Sequence, residues 1–318
     1  MPPGELIVAV GPEVEERGPS KQDECLDTCV TTLTQKDAHF AREFLNEHAE
    51  NRQDHLNNLR QYLNSNSYLN ARDDDESLLR FLRGCKFNQQ RSREKIRHFY
   101  ELRATSPEWY DLRDPQQPDI LNLLKMGVFI PLLKRDSSTG QTVIIIRASI
   151  HNPKEVSIND ILKVSKMVME ILTRQSSVLY VYGLRAIIDL QGVSLGHALQ
   201  LTPHLIKKLV HTWQDCYPVR TRSIDFVNSP LHINMVLNIF RKFMNEKMRS
   251  RLHTHRSIKP LAGLMNPEVL PVEYGGTGPK INNVIDYWCN EVVKNRDWFV
   301  DDYKYRADMQ LKTEELSD

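Results

Sequence analysis

The sequence predicts an α/β protein: a helical first third, then a sandwich of parallel strands covered by helices. Three observations carry this. Residues 37–113 hold charged segments with helical apolar spacing. From residue 128 onward, short apolar runs alternate with helical segments of about ten to twenty residues, the pattern of strands covered by helices. "LRAIIDL" at its centre reads as a buried strand.

The elements follow in order. Residues 1–36 are polar, acidic and rich in Pro, Gly and Thr, and read as a disordered tail without the basic start of a signal peptide. Asp37 is a plausible N-cap for a charged helix to about Leu63. In "DDDESLLRFLRGCKF" the acids Asp73 to Glu76 suit a helix N-terminus, and Leu78, Leu79, Phe81 and Leu82 supply the apolar stripe. Asn88 can cap a helix to about Arg103, buried through Tyr100 and Leu102. Residues 37–113 thus read as a small helical domain.

"VFIPLLKRD" and "QTVIIIRAS", separated by "SSTG", read as a β-hairpin. Residues 157–178, opening "SIND", read as one long helix with Ile161, Leu162, Val164, Met167, Val168, Ile171 and Leu172 at helical spacing. "TPHLIKKLVHTWQDCYP" is a helix with Pro203 in its first turn, "TRSIDFVNSP" a strand, "PLHINMVLNIFRKFM" a helix and "RLHTH" a short strand. Residues 114–279 form the α/β domain, and 280–318 a charged C-terminal helix and tail.

Composition excludes some classes. With 318 residues, 40% hydrophobic and 26% charged, the chain reads as a soluble globular protein, and no apolar run is long enough to span a membrane. Five scattered cysteines suit a reduced, cytosolic setting, and Cys25 and Cys29, four apart with no second pair nearby, make a poor zinc site. No metal or cofactor is called for. Net charge is only +1, but residues 201–260 hold eleven Lys or Arg against three Asp or Glu, which predicts an anionic partner.

Two motifs compete for function. "GVSLG", Gly192 to Gly196, matches the G-x-S-x-G nucleophile elbow and would make Ser194 a hydrolase nucleophile. The elbow, however, places its serine at the strand-to-helix turn, and this strand ends near Asp189 or Leu190. Asp215 or Asp225 with His253 or His255 would satisfy the chain order, but no His-Gly-Gly segment supplies an oxyanion hole. The alternative is a loop serine capping a helix over Leu195–Leu201. The second motif is the helix over 230–244. It carries one stripe of Ile233, Val236, Leu237, Phe240 and Met244 and another of Met235, Ile239 and Phe243. With Arg241, Lys242, Lys247, Arg249 and Arg251 beside it, it suits an interface with anionic lipid; a fully buried core helix is the alternative.

"SLLRFLRGCKFN", "IIDLQGVSLGHALQLTP", "DCYPVRTRSIDFVNSP", "FRKFMNEKMRSRLHTH" and "LPVEYGG" together resemble the CRAL-TRIO lipid-binding proteins, on the branch of the tocopherol and retinaldehyde carriers, over about residues 40–300. The resemblance implies a CRAL-TRIO α/β sandwich with an apolar cavity for one lipid, closed by a gate helix that carries Val236, Leu237 and Met244. It implies a lining of Leu162, Ser165, Met169, Leu184, Ile188, Leu209, Trp213, Ile224, Ile233, Phe240 and Phe243. Met169 and Trp213 stand where the tocopherol carrier has a serine and a smaller aliphatic residue. It also implies a phosphoinositide site at Arg220, Arg222, Lys247 and Arg251, with Lys86 standing in for a family arginine that falls at Cys85. The expected protein is a monomeric cytoplasmic carrier, transiently membrane-associated, without catalytic residues and without a nucleic-acid partner. A lipid sensor that recruits a protein is the alternative.

Overall fold

The computed structural model describes residues 32–230 and 233–315. The acidic segment at the N-terminus, with Cys25 and Cys29, lies almost wholly outside them, although Gln35 and Lys36 already belong to the first helix. The helices before the sheet are α1 (Gln35–Leu45), α2 (Arg52–Asn64), α3 (Asp75–Gly84), α4 (Gln89–Ala104), α5 (Pro107–Tyr110) and α6 (Pro118–Met126). The sheet region runs β1 (Phe129–Pro131), β2 (Thr142–Arg147), α7 (Ile158–Gln175), α8 (Ser177–Tyr182), β3 (Leu184–Asp189), α9 (Leu195–Gln200), α10 (Pro203–His211), β4 (Thr221–Val227), α11 (Asn234–Phe243), α12 (Glu246–Arg249) and β5 (Leu252–Thr254). After α13 (Lys259–Ala262) the chain closes with α14 (Ile281–Lys294), α15 (Arg296–Asp302) and α16 (Met309–Glu315).

The five strands lie in chain order, β1 antiparallel to β2 and the rest parallel. Each parallel step needs a crossover, and α7–α8, α9–α10 and α11–α12 supply them. The register sets one face of the sheet. Ile144, Ala186 and Ile224 form one cross-strand rung, and Ile146, Ile188 and Phe226 the next. Val143, Ile145 and Ile187 alternate to the other side and join the main core with Met167, Leu172 and Trp288.

Four helix boundaries differ from the sequence reading. The helix expected over 37–63 is two helices, because Asn46 adopts a left-handed φ of 59° and its N–H closes α1 on the Ala41 carbonyl. Thr34, not Asp37, is the N-cap: its hydroxyl accepts the Asp37 N–H at 3.2 Å while the Asp37 carboxylate accepts the Thr34 N–H at 3.1 Å. The helix expected over 157–178 stops at Gln175, where extended Ser176 takes over as the cap of α8. Finally, α10 gives way at His211 to a π-helical turn, Thr212–Cys216.

The helical region docks tightly on the sheet region. A Cβ on Gly84 would fall 2.0 Å from the Pro218 carbonyl oxygen, so only glycine permits this approach. Deeper in, Arg103 and Arg113 share Glu170 and Asp302: Arg103 meets Glu170 at 2.8 Å, Arg113 meets Asp302 at 3.1 Å, and both cross pairs are also made. Arg72 adds a contact to Asp302 at 3.0 Å. This ionic knot ties α4, α7, α15 and the loop after α5 together.

Candidate functional site

A cavity of about 250 Å³ lies between the apolar face of the sheet and the helices α7, α9, α10 and α11. Ile144, Ile146, Ala186, Ile188, Ile224 and Phe226 form its floor. Of the residues expected to line it, Leu162, Ser165, Met169, Leu184, Ile188, Leu209, Trp213, Ile224, Ile233 and Phe240 all do, as do Val236, Leu237 and Met244 of the expected gate. Phe243 does not. It lies near the end of α11, about one helical turn past Phe240, and packs on the outer edge of the cluster beneath that helix. The second stripe of α11 is therefore not a cavity wall: Met235 is 74% exposed.

Polar groups in the lining are few and mostly engaged. The Ser165 hydroxyl donates to the Ile161 carbonyl at 2.7 Å, which leaves its lone pairs but not its proton for a ligand. Trp213 stacks between Phe129 and Tyr217, with ring centres 6.4 and 5.4 Å away. The π-helical turn places Trp213 in the cavity wall and Gln214 and Asp215 in the wall of the adjoining pocket. Sequence reading missed Phe129, Val193, His151, His197 and Lys166. The first two come from segments read as hairpin and loop, and the three polar residues gave no apolar signal.

Ser194 caps α9. Its hydroxyl lies 2.8 Å from His197 Nδ1, and its N–H donates to the same nitrogen at 3.1 Å. His197 Nε2 lies 2.9 Å from the His151 carbonyl oxygen, so that nitrogen carries the proton and no acid orients the ring. The acids once eligible for a triad are occupied elsewhere: Asp215 meets His211 at 3.0 Å and Asp225 meets His255 at 2.9 Å. His151, 4% exposed, has its pKa lowered by burial and no partner for Nδ1. Among the described residues no cluster of His, Cys, Asp or Glu is arranged to hold a metal, and no helix is long and apolar enough to cross a membrane.

A second, basic pocket adjoins the cavity. Lys86, Arg220, Lys247 and Arg251 line it, joined by Arg91, Lys95 and His98, which the sequence reading did not single out, against two acids in the same wall, Glu94 and Asp215. Arg222 lies beside the pocket rather than in its wall, its Nε donating to the Tyr182 carbonyl at 2.9 Å. Lys86 and Phe87 both take left-handed φ values of 56°, a turn pinned by the buried Phe87 ring, and this presents Lys86 to solvent. Arg220 is anchored by carbonyls, reaching Arg83 O at 2.7 Å, and none of Arg220, Arg222, Lys247 and Arg251 pairs with a carboxylate among the described residues. Burial and mutual repulsion push Arg220 down to about 10, and burial lowers Arg222, Lys247 and Arg251 as well. Such a cluster attracts a multiply charged anion. Trp213, Thr221 and Met248 belong to both walls, so the apolar cavity and the basic pocket are neighbours.

The site is thus an apolar cavity on a mostly parallel sheet, covered by a helix and adjoined by a basic pocket, a form suited to an apolar small molecule. Residues 125–276 match the CRAL/TRIO domain, and residues 48–120 the Pinta-like UBA domain. Residues 125–276 thus form a CRAL/TRIO domain. The chain is 30% identical to Clavesin-1 of Xenopus laevis over 209 residues, 65% of this chain and 62% of that one. It is 29% identical to an alpha-tocopherol transfer protein-like protein of Mus musculus over 277 residues, 86% of this chain and 79% of that one. The chain therefore spans about three fifths of the clavesin-1 length. In fold it resembles the crystal structure of Sfh5, with a TM-score of 0.50 and 12% identity over 79% of this chain and 99% of that one.

Proposed function

We propose that this chain is a cytoplasmic carrier that holds one hydrophobic molecule in the cavity and exchanges it at phosphoinositide-containing membranes. The shared wall of the apolar cavity and the unpaired basic pocket carries this reading. A polyphosphate headgroup in the basic pocket would contact the Trp213 and Met248 wall, and so bias the state of the cover. That requires it to bind the open state better than the closed one. The cover also has an outer apolar surface: Leu195 and Leu199 on α9 and Met235 on α11 are 66%, 80% and 74% exposed. Apolar side chains beside cations suit shallow insertion into an anionic interface. Ser194 serves in this reading as a helix cap rather than a nucleophile, since His197 is turned by a carbonyl and not by an acid.

Each cation near such a surface contributes about 1 kcal/mol. Reversing Arg220 and Lys247 to Glu removes two cations, about 2 kcal/mol, before any repulsion by the new carboxylates, so binding to vesicles containing a phosphatidylinositol bisphosphate should fall at least about thirtyfold. Co-purified lipid, measured by native mass spectrometry, should stay at the level of the unaltered protein. Equal loss of both would overturn the division between cavity and pocket.

A further inference from the structure

Lys166 lines the apolar cavity from the middle of α7 and is 5% exposed. It is the one primary amine in that wall among the described residues. Its Nζ stands 4.5 Å from the ring centre of Trp109, 5.4 Å from that of Tyr217 and 5.6 Å from that of Tyr110. Among the described residues no carboxylate pairs with it. Glu170, one turn further along α7, is engaged by Arg103 and Arg113. The other charged or titratable groups around Lys166 are Lys208 on α10, Arg113 after α5 and the Cys216 thiol in the π-helical turn. Lys208 sits 4.4 Å from the same Trp109 ring, so it adds a like charge nearby.

A buried amine without a carboxylate is costly as a cation. Burial pushes Lys166 down to about 7, against a partial pull upward from Glu170. At neutral pH a large share of the side chain is therefore free base, which is the nucleophilic form of an amine. Fatty acids would need two charges buried together in this wall. A neutral carbonyl needs none.

We propose that Lys166 captures a long-chain apolar aldehyde in the cavity as a reversible imine. The amine nitrogen attacks the carbonyl carbon to form a carbinolamine. Loss of one water then forms the C=N bond, and water addition reverses it, with no oxidant or reductant. The imine, like the free amine, needs no buried charge among the rings of Trp109, Tyr110 and Tyr217. This rests on the reading of the cavity as a lipid site. Lysine is the residue for such chemistry when desolvation lowers its pKa.

The test loads the full chain with hexadecanal, or with hexadecanol as an equally long ligand that cannot form an imine. Cyanoborohydride then reduces any imine to a stable secondary amine. The expected product is one adduct of the aldehyde mass less one oxygen, mapped by peptide mass to Lys166 and suppressed by excess hexadecanol. Its yield should level off above about pH 8, as for an amine titrating near 7, whereas exposed lysines go on gaining reactivity toward about pH 10. Lys166→Arg should carry no cavity adduct. Because a misfolded variant would also lack it, the peptide map of the unaltered chain decides. Uptake of hexadecanol with labelling confined to exposed lysines would overturn the imine and leave the carrier standing. Uptake of neither ligand would overturn both.

Discussion

Lys166 and Glu170 lie one turn apart on α7, both almost wholly buried, at 5% and 4% exposure. Glu170 faces the ionic knot, where two arginines and a second carboxylate satisfy it. Lys166 belongs to the cavity wall, its amine set among the rings of Trp109, Tyr110 and Tyr217, of which Tyr217 also lines the cavity, and no carboxylate pairs with it among the described residues. One face of one helix thus carries a paired charge and, a turn away, an amine that no carboxylate pairs. The knot fastens the helices before the sheet and those after it into one body. The cavity stays apolar, roomy and chemically unsatisfied, as a site for a guest must be. Burial alone says little about role; whether the partners are already present separates a fastening from a site.

The largest effect should come from breaking the knot. Glu170→Ala leaves Arg103 and Arg113 buried with half their partners, and should cost about 3–5 kcal/mol in denaturant unfolding. Asp302 adds a pH signature. Burial opposes its ionisation, but Arg103, Arg113 and Arg72 outweigh that and hold it below the usual carboxylate range. Its contribution is therefore complete above about pH 4 and is lost as pH falls through the lowered value, so Asp302→Asn should flatten the acid limb of the stability curve. An unchanged acid limb would mean that the knot is weaker than its geometry.

The cavity should respond in the opposite direction. Lys166→Met removes a buried amine and should stabilise the empty protein by about 2–4 kcal/mol near pH 6. The sign follows from a folded value of about 7 against 10.5. The unfolded chain binds the proton more tightly, so the penalty is full below about pH 7 and fades as pH rises toward 10.5. Stability curves that differ by a constant across this range would remove the amine as the cause.

The smallest effect compares neighbours in β3. Ile187 is fully buried in the main core, while Ile188 points into the cavity. Ile187→Ala should cost about 3 kcal/mol, because it adds a void to packed surroundings. Ile188→Ala enlarges an existing space and should cost about 1 kcal/mol. Equal losses would mean that the cavity wall is packed as tightly as the core.

Much of this was legible in the sequence because it depends on local pattern. Apolar runs and turn residues placed all five strands, and Asn88 and Ser194 are caps in the structure, as the sequence reading allowed. The basic cluster near Arg220 was visible as a charge excess, and ten of the cavity residues followed from the family resemblance. Helix breaks were less legible. Asn46 and Ser176 interrupt segments whose apolar period continues across them, since the period records which face is buried and not whether the backbone is continuous.

The sequence by itself determined the alternation of strands and helices, the caps, and the concentration of positive charge in one stretch of chain. These rest on interactions between residues a few positions apart. Tertiary structure alone decided that Arg91 and Lys95 join a pocket with residues more than a hundred positions away, and that Phe243 turns from the cavity that Phe240 enters. It alone decided that Glu170 meets two arginines while Lys166 meets none of the carboxylates. Whether a buried charge is paired depends on which distant chain segments pack against its helix, and no local pattern encodes that.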